Sequence, residues 1–164
     1  MPRRAVALPL VALLILTAGC TAFGTTSADV TVENSESSRY QMTVYLFEEP
    51  VGAGNLTVEA TNSTGARKVM ELVQLETEGP HFNVSLSEEW NATKRQLVIP
   101  ANETRTASFD AWEPGMAIVY VFEEPDGRIV RTEFAECSSA SLNHTFVFSE
   151  GPDNGYRAHC PPPR

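Results

Sequence analysis

Apolar and polar residues alternate with a period of two along most of the chain after residue 28. Successive side chains of a β-strand point to opposite faces of its sheet, so this period predicts β-strands. The residues that separate the alternating segments are rich in Gly, Pro, Asn and Ser, which favour turns. Strands are predicted over residues 29–33, 40–47, 55–61, 82–86, 95–99, 105–111, 117–123, 128–135 and 144–148.

Residues 66–78 are ambiguous, because their apolar positions fit an irregular strand and a short helical turn equally well. Many short strands with turn signals every eight to twelve residues are typical of a β-sandwich. We therefore predict an all-β fold, a single antiparallel β-sandwich of about seven to nine strands over residues 29–160.

The first nineteen residues have the pattern of an export signal. Arg3 and Arg4 precede an apolar run over residues 5–18, and Ala18-Gly19 precede Cys20. As a helix this run would rise about 21 Å, short of the roughly 30 Å of membrane hydrocarbon, which favours cleavage over a membrane span. The segment resembles a lipoprotein lipobox, with Thr17 where Leu is commonest. That resemblance implies a signal peptide over residues 1–19 and lipidation of Cys20.

Arg3-Arg4 also resembles a twin-arginine export signal, which implies that the protein crosses the membrane already folded; an ordinary positively charged signal start is the alternative. Residues 20–28 form a Thr, Ser and Gly-rich tether, and residues 161–164 an extended Pro-rich tail. A two-chain lipid anchors stably. We therefore expect an extracellular protein, lipid-anchored to the outer face of the cytoplasmic membrane.

The chain is strongly acidic. Its formal net charge is −9, and loss of Arg3 and Arg4 with the signal would make it −11. This sign argues against nucleic acid as a partner. Lys occurs only at Lys68 and Lys94, as in proteins that work in concentrated salt, where charge repulsion is screened. With the export signal, this composition resembles that of haloarchaeal surface proteins; an acidic bacterial lipoprotein is the alternative.

One further resemblance concerns the middle of the chain. The run from Ile99-Pro-Ala-Asn-Glu-Thr-Arg-Thr106 through Trp112-Glu-Pro-Gly-Met116 resembles the strand–turn–strand of Ig-like domains common in haloarchaeal lipoproteins. This resemblance covers about half of the chain, and it implies that the predicted sandwich is Ig-like.

Six of the eight asparagines lie in Asn-x-Ser/Thr sequons with no Pro between. We predict N-glycosylation at these positions, which would then have to face solvent. The alternative is that Asn and Thr are simply good turn and strand residues. The six asparagines are Asn55, Asn62, Asn83, Asn91, Asn102 and Asn143.

Two cysteines, Cys137 and Cys160, remain after lipidation of Cys20. In an extracellular protein they are predicted to form a disulfide. The alternative is a small metal-binding or redox protein, similar to a cupredoxin, with copper held by Cys137, His144 and His81. Such sites usually add a Met ligand, and no Met follows Cys137. We therefore expect no metal and no cofactor.

Residues 43–50 and 118–125 agree at six of eight positions. One interpretation is a paired acidic site, in which Glu48-Glu49 and Glu123-Glu124 bind a divalent cation. The other is repeated strand chemistry that ends in solvated carboxylates. The second is favoured, because calcium needs six to eight oxygen ligands and no Asp-rich loop is visible.

The sequence contains no Gly-x-Ser-x-Gly, His-Glu-x-x-His or phosphate-loop motif. We therefore predict a protein that is not an enzyme. The expected function is an interaction or structural module of the cell envelope, with the membrane as one partner through the lipid and an unknown envelope protein or glycan as the other.

Overall fold

The computed structural model describes residues 26–75, 77–151 and 154–162. The predicted signal peptide, the lipidation site Cys20 and most of the tether lie outside these residues. The described residues form eleven β-strands and two short 3-10 helices, without an α-helix. Nothing in this part of the chain is a helix long and apolar enough to cross a membrane. The predicted all-β sandwich is confirmed.

The strands match the alternating segments closely, and two of them, at 40–47 and 117–123, have the predicted bounds. The strands are β1 (Ser27–Asn34), β2 (Tyr40–Phe47), β3 (Thr57–Asn62), β4 (Arg67–Glu71), β5 (His81–Leu86), β6 (Ala92–Ile99), β7 (Glu103–Phe109), β8 (Ala117–Glu123), β9 (Ile129–Glu136), β10 (Ser141–Phe148) and β11 (Gly155–His159). The 3-10 helices are Ala53–Asn55 and Leu72–Gln74.

The strands form three sheets. Sheet A has the order β11-β10-β1-β7, sheet B the order β6-β2-β8-β9, and sheet C the order β4-β3-β5. The neighbours are antiparallel except β1 and β10, which run parallel with Ser27 opposite Ser141. Sheets A and B form the predicted sandwich, and sheet C covers the other face of sheet B.

The two inner strands of sheet B, β2 and β8, are therefore buried on both faces. Along β8, Tyr120 and Phe122 lie in the core shared with sheet A, whereas Val119 and Val121 lie in the core shared with sheet C. A strand covered on both faces needs apolar side chains at consecutive positions. The similar segments 43–50 and 118–125 overlap β2 and β8, the two inner strands of sheet B, so the likeness of their apolar residues reflects the same burial.

Two segments differ from the simplest prediction. Residues 66–78 contain both predicted alternatives, since β4 is followed directly by the 3-10 helix Leu72–Gln74. Strand β11 was not predicted, and together with β4 it brings the number of strands to eleven, above the expected seven to nine. Its residues, Gly155–His159, lack apolar alternation because they are mostly exposed and pair only with β10.

Basic side chains mark the edges of the sheets. The described residues contain nine Lys and Arg, of which seven lie on five edge strands and none on an inner strand. Cationic side chains oppose the pairing of another strand along an open edge, because pairing would strip them of water. The seven are Arg67 and Lys68 on β4, Lys94 and Arg95 on β6, Arg105 on β7, Arg131 on β9, and Arg157 on β11.

The remaining edge strand, β5, has no basic residue but is closed by the turn between β8 and β9. The backbone N–H of Asn83 donates to Gly127 O at 2.9 Å. The next N–H, that of Val84, donates to the carboxylate of Glu123. All six sheet edges in the described part of the chain are thus covered or charged.

Removing both cations from β4 is expected to make the protein self-associate. In the variant Arg67→Thr with Lys68→Thr, the strand keeps good strand-forming residues and presents Val69, which is 63% exposed, on an uncharged edge. Size-exclusion chromatography with light scattering should show concentration-dependent dimers or larger species. The control is Arg39→Thr, which removes a described cation that lies off the edge strands and outside the turn that closes β5. A β4 variant as monomeric as this control would contradict the prediction.

Candidate functional site

The sandwich has two distinct ends, and β1 begins at one of them. Ser27 donates its backbone N–H to Ala140 O at 3.1 Å, just before β10 starts. Trp112, which is fully buried, donates from Nε1 to Ser139 O at 3.1 Å and so ties the loop before β8 to the same end. We call this the N-terminal end, and the opposite one the distal end.

A polar groove lies at the distal end. It encloses about 340 Å³ between the start of β2, the turn between β8 and β9, and single residues of β5 and β6. We call it the distal groove. Its lining residues are Arg39, Tyr40, Gln41, Asn83, Val98, Glu123, Glu124, Pro125, Asp126 and Gly127.

Glu123 is the buried carboxyl of this groove, with 8% of its surface exposed. Burial raises the pKa of Glu123, and the hydrogen bond from the Val84 backbone and the charge of Lys94 partly oppose the rise. A perturbed carboxyl in a cleft is a candidate for acid–base chemistry. In this protein, the carboxylate of Glu123 accepts a hydrogen bond from Val84 on the β5 edge, so Glu123 has a structural role.

The other acidic groups of the groove are occupied within the turn between β8 and β9. Glu124 receives two hydrogen bonds from the Arg128 guanidinium, at 2.5 and 2.8 Å. Asp126 Oδ1 accepts from the Arg128 backbone N–H at 3.1 Å. Gly127 has φ +84°, and a Cβ there would lie 2.5 Å from the Asn83 side-chain oxygen, so the turn needs glycine.

The hypothesis of a paired acidic site is wrong. Strands β2 and β8 are antiparallel, with Gln41 opposite Glu123 and Phe47 opposite Ala117. Glu48-Glu49 therefore lie at the N-terminal end and Glu123-Glu124 at the distal end, about 20 Å away along seven-residue strands. No group of three metal-binding side chains occurs within the described residues.

The predicted disulfide between Cys137 and Cys160 is confirmed, with 5.9 Å between the Cα atoms. It joins the ends of β9 and β11. The alternative of a copper site is excluded, because the disulfide leaves Cys137 no thiolate to bind a metal. The two histidines of that site are also separated, since His144 lies on sheet A and His81 on sheet C, with sheet B between them.

His144 is instead a core residue, 2% exposed. Its ring lies 5.2 Å from the Tyr120 ring and 6.4 Å from the Tyr156 ring, measured between centroids. Neither ring nitrogen has a hydrogen-bond partner among the described residues. Burial in these aromatic surroundings lowers the pKa of His144 from 6.5 to about 4, so the ring is neutral at neutral pH.

This histidine should make the fold sensitive to mild acid. Between the unfolded pKa of 6.5 and the folded pKa of about 4, the unfolded chain binds a proton that the folded chain does not, so stability falls as the pH falls. The expected loss from His144 alone is about 2 kcal/mol between pH 7.5 and pH 5.

His144→Phe should remove this share of the acid sensitivity. For each protein, the change in the free energy of unfolding between pH 7.5 and pH 5 is measured. Subtracting the change of the variant from that of the wild type isolates the share of His144, because the carboxylates are the same in both proteins. The control His159→Phe makes the same substitution at an exposed histidine, and the change caused by His144→Phe should exceed the change caused by this control. An identical pH dependence in His144→Phe and wild type would contradict the argument.

The six sequon asparagines lie at the surface of the domain. Five are exposed and Asn62 is partly exposed. Asn34, which is not in a sequon, is 3% exposed and donates from Nδ2 to Ser38 O at 2.8 Å and to Pro100 O at 2.9 Å. The buried asparagine, Asn34, whose side chain holds two backbone segments together, is thus not part of a sequon. Attachment of sugar at the other six stays a prediction.

No pattern in the sequence predicts the distal groove. Its residues come from four strands and one turn, and only the turn Pro125-Asp126-Gly127 has a local signal. Residues such as Arg39 and Asn83 become neighbours only through the order of the strands, which no local motif records.

Comparison with known proteins places the chain in one family. A family model described as "Halobacterial Ig domain protein" matches residues 1–161. No curated protein matches the chain. Among solved structures, the crystal structure of the human-specific toxin intermedilysin aligns over 83% of this chain and 24% of its own, at 8% sequence identity and a TM-score of 0.32. This chain spans about a quarter of that structure, and so low a score supports no inference.

Proposed function

The chain belongs to the family of halobacterial Ig domain proteins, and we propose that it is a lipid-anchored, N-glycosylated interaction module of the cell envelope. Proteins of this family are typically non-enzymatic, structural or interaction modules at the cell surface. The observation that supports the proposal best is the placement of β1 and the distal groove at opposite ends of the sandwich.

In this proposal residues 1–19 are removed as the signal peptide, and Cys20 carries the lipid. The predicted tether over residues 20–28 is shortened to 20–26, because β1 begins at Ser27 and Ala28 is buried in the core; residues 27–160 are then the domain and 161–164 the tail. Seven residues from Cys20 to Thr26 reach about 25 Å at most, so the N-terminal end stays close to the bilayer. The eight-residue strands place the distal groove about 27 Å further out, where it can meet other envelope molecules.

The closed edges favour contact through side chains. Partners that add a strand to a sheet need a free edge, and the edges of the described sheets are charged or covered. The distal groove presents the Arg39 guanidinium and the side-chain amides of Gln41 and Asn83 beside the exposed Val98. Such a surface suits a polar partner, a neighbouring envelope protein or its glycan.

Mass spectrometry of the intact protein from its own membrane tests the modifications. The expected mass shows loss of residues 1–19, a two-chain lipid and several glycans, with a gain of about 2 Da when the disulfide is reduced. The variant Cys20→Ser should lose the lipid mass and leave the membrane fraction. Membrane binding of this variant equal to that of the wild type would overturn the lipid anchor.

A second experiment tests the orientation. Asp126→Cys introduces a thiol at the distal end, and Glu113→Cys introduces one in the exposed loop at the N-terminal end. On intact cells a bulky, membrane-impermeant maleimide should label Asp126→Cys faster, whereas the purified, detergent-released variants should react at similar rates. Equal rates on cells would overturn the proposed orientation while leaving the anchor untouched.

A further inference from the structure

The six sequons fall into two groups when the residues after each asparagine are compared. In the first group the third-position threonine is exposed, and the middle residue is exposed or partly so. In the second group the middle residue is buried, with exposed fractions of 0% for Leu56, 8% for Val84 and 2% for His144. We call them open and closed sequons. The open sequons begin at Asn62, Asn91 and Asn102, and the closed ones at Asn55, Asn83 and Asn143.

Asn62 and Asn143 show the contrast most clearly. Only Asn62 of its sequon lies in a strand, at the end of β3 opposite His81, and the chain then turns towards β4. Asn62 Oδ1 accepts from the Thr64 backbone N–H, the Thr64 hydroxyl and the Ala66 backbone N–H, and its Nδ2 makes no hydrogen bond to the described residues. The sequon of Asn143 lies wholly in β10, an inner strand, where Asn143 is paired with Asp29 on one side and His159 on the other. Both sequons end in threonine, so their hydroxyl chemistry is the same.

Two closed sequons also have their hydroxyl groups engaged elsewhere. Thr57 donates to the Glu89 carboxylate and accepts from Trp90 Nε1 at 3.0 Å. Ser85 accepts from the Arg67 guanidinium at 2.8 Å. A transferase that recognises the hydroxyl would have to break these contacts.

The chemistry of attachment needs both ends of the sequon at once. The bond between Asn Nδ2 and sugar C1 forms, the bond between C1 and the phosphate oxygen of a lipid-linked sugar breaks, one amide proton passes to water, and the lipid phosphate leaves with the electron pair. An enzyme that holds the asparagine and the hydroxyl residue must also draw the middle residue off the domain. For His144 this means opening β10 against two neighbouring strands, which costs local unfolding.

We infer that Asn62, Asn91 and Asn102 are the positions that a lipid-linked sugar modifies on the folded domain, and that Asn55, Asn83 and Asn143 stay unmodified. The inference rests on the proposed function, since it specifies which positions of the proposed glycoprotein carry sugar. It also requires the domain to fold before it is modified, as export in the folded state would ensure.

Site-resolved glycopeptide mass spectrometry on the full chain from its native cells tests the inference. Occupancy of the three open sequons is expected to exceed that of the closed ones by at least about tenfold. Comparable occupancy at Asn143 and Asn62 would overturn the inference while leaving the proposed glycoprotein intact. Absence of sugar from all six positions would overturn both.

A variant gives an independent readout. Cys137→Ser with Cys160→Ser releases the end of β11, which pairs Asn143 with His159. Occupancy at Asn143 should rise in this variant, and occupancy at Asn62, on sheet C, should stay unchanged. A parallel rise at both positions would contradict the role of local opening.

Discussion

Replacing Phe146 with alanine is expected to lower the free energy of unfolding by about 3–5 kcal/mol. Phe146 is fully buried at the centre of an aromatic cluster. Its ring lies 5.0 Å from the ring of Tyr120, 4.7 Å from that of Phe122 and 5.9 Å from that of Tyr156, measured between centroids. These contacts join β10 of sheet A to β8 of sheet B and to β11. The substitution leaves a cavity that the two sheets can fill only in part.

Denaturant unfolding at neutral pH measures this effect. The control Val147→Ala changes the next residue of β10, which points away from the core and is partly exposed, and should cost less than about 1 kcal/mol. If Phe146→Ala fell within 1 kcal/mol of this control, the interface between sheets A and B would not be the main source of stability.

Removing the disulfide is expected to cost about 3 kcal/mol. The bond closes a loop between residues that are 23 apart in sequence, and loss of the bond frees the unfolded chain to adopt more conformations. Its local effect should be concentrated in β11, whose residues are mostly exposed and pair only with β10. Cys137→Ser with Cys160→Ser should therefore weaken this strand before the rest of the domain.

Two measurements separate the local effect from the global one. Unfolding by denaturant gives the total loss, and reduced wild-type protein should lose a similar amount. Hydrogen exchange should show early loss of protection in β11, with β2 and β8 protected until global unfolding. Equal stability of oxidised and reduced protein, or uniform loss of protection, would contradict this account.

The strands were predictable because their signal is local. Apolar segments bounded by turn residues place β2 and β8 at their observed bounds, since each residue reports whether its own side chain is buried. Residues 66–78 remained ambiguous because β4 is mostly exposed and has a single buried residue, Met70, so its sequence shows no alternation of buried and exposed positions. The sequence of β11 shows no alternation, because this strand has no row of buried side chains. It is held by pairing with β10 and by the disulfide at its end.

The candidate sites show the same division. The six sequons are readable because three adjacent residues define each of them, and their exposure agrees with the prediction. Their division into open and closed groups needed the burial of Leu56, Val84 and His144, which depends on the facing sheets. The distal groove could be located only once the strand order was known, because Gln41, Asn83 and Asp126 come from distant parts of the chain.

The sequence by itself determined the all-β class, the positions of most strands, the turn at Pro125-Asp126-Gly127 and the pairing of the two cysteines. These features depend on neighbouring residues or on the small number of cysteines. Only the tertiary structure decided that sheet B is covered on both faces, that β2 and β8 run in opposite directions, and that the groove and β1 lie at opposite ends. Pairing between strands far apart in sequence sets these features. An alternating pattern indicates that a strand has a buried face, but it does not indicate which element covers that face.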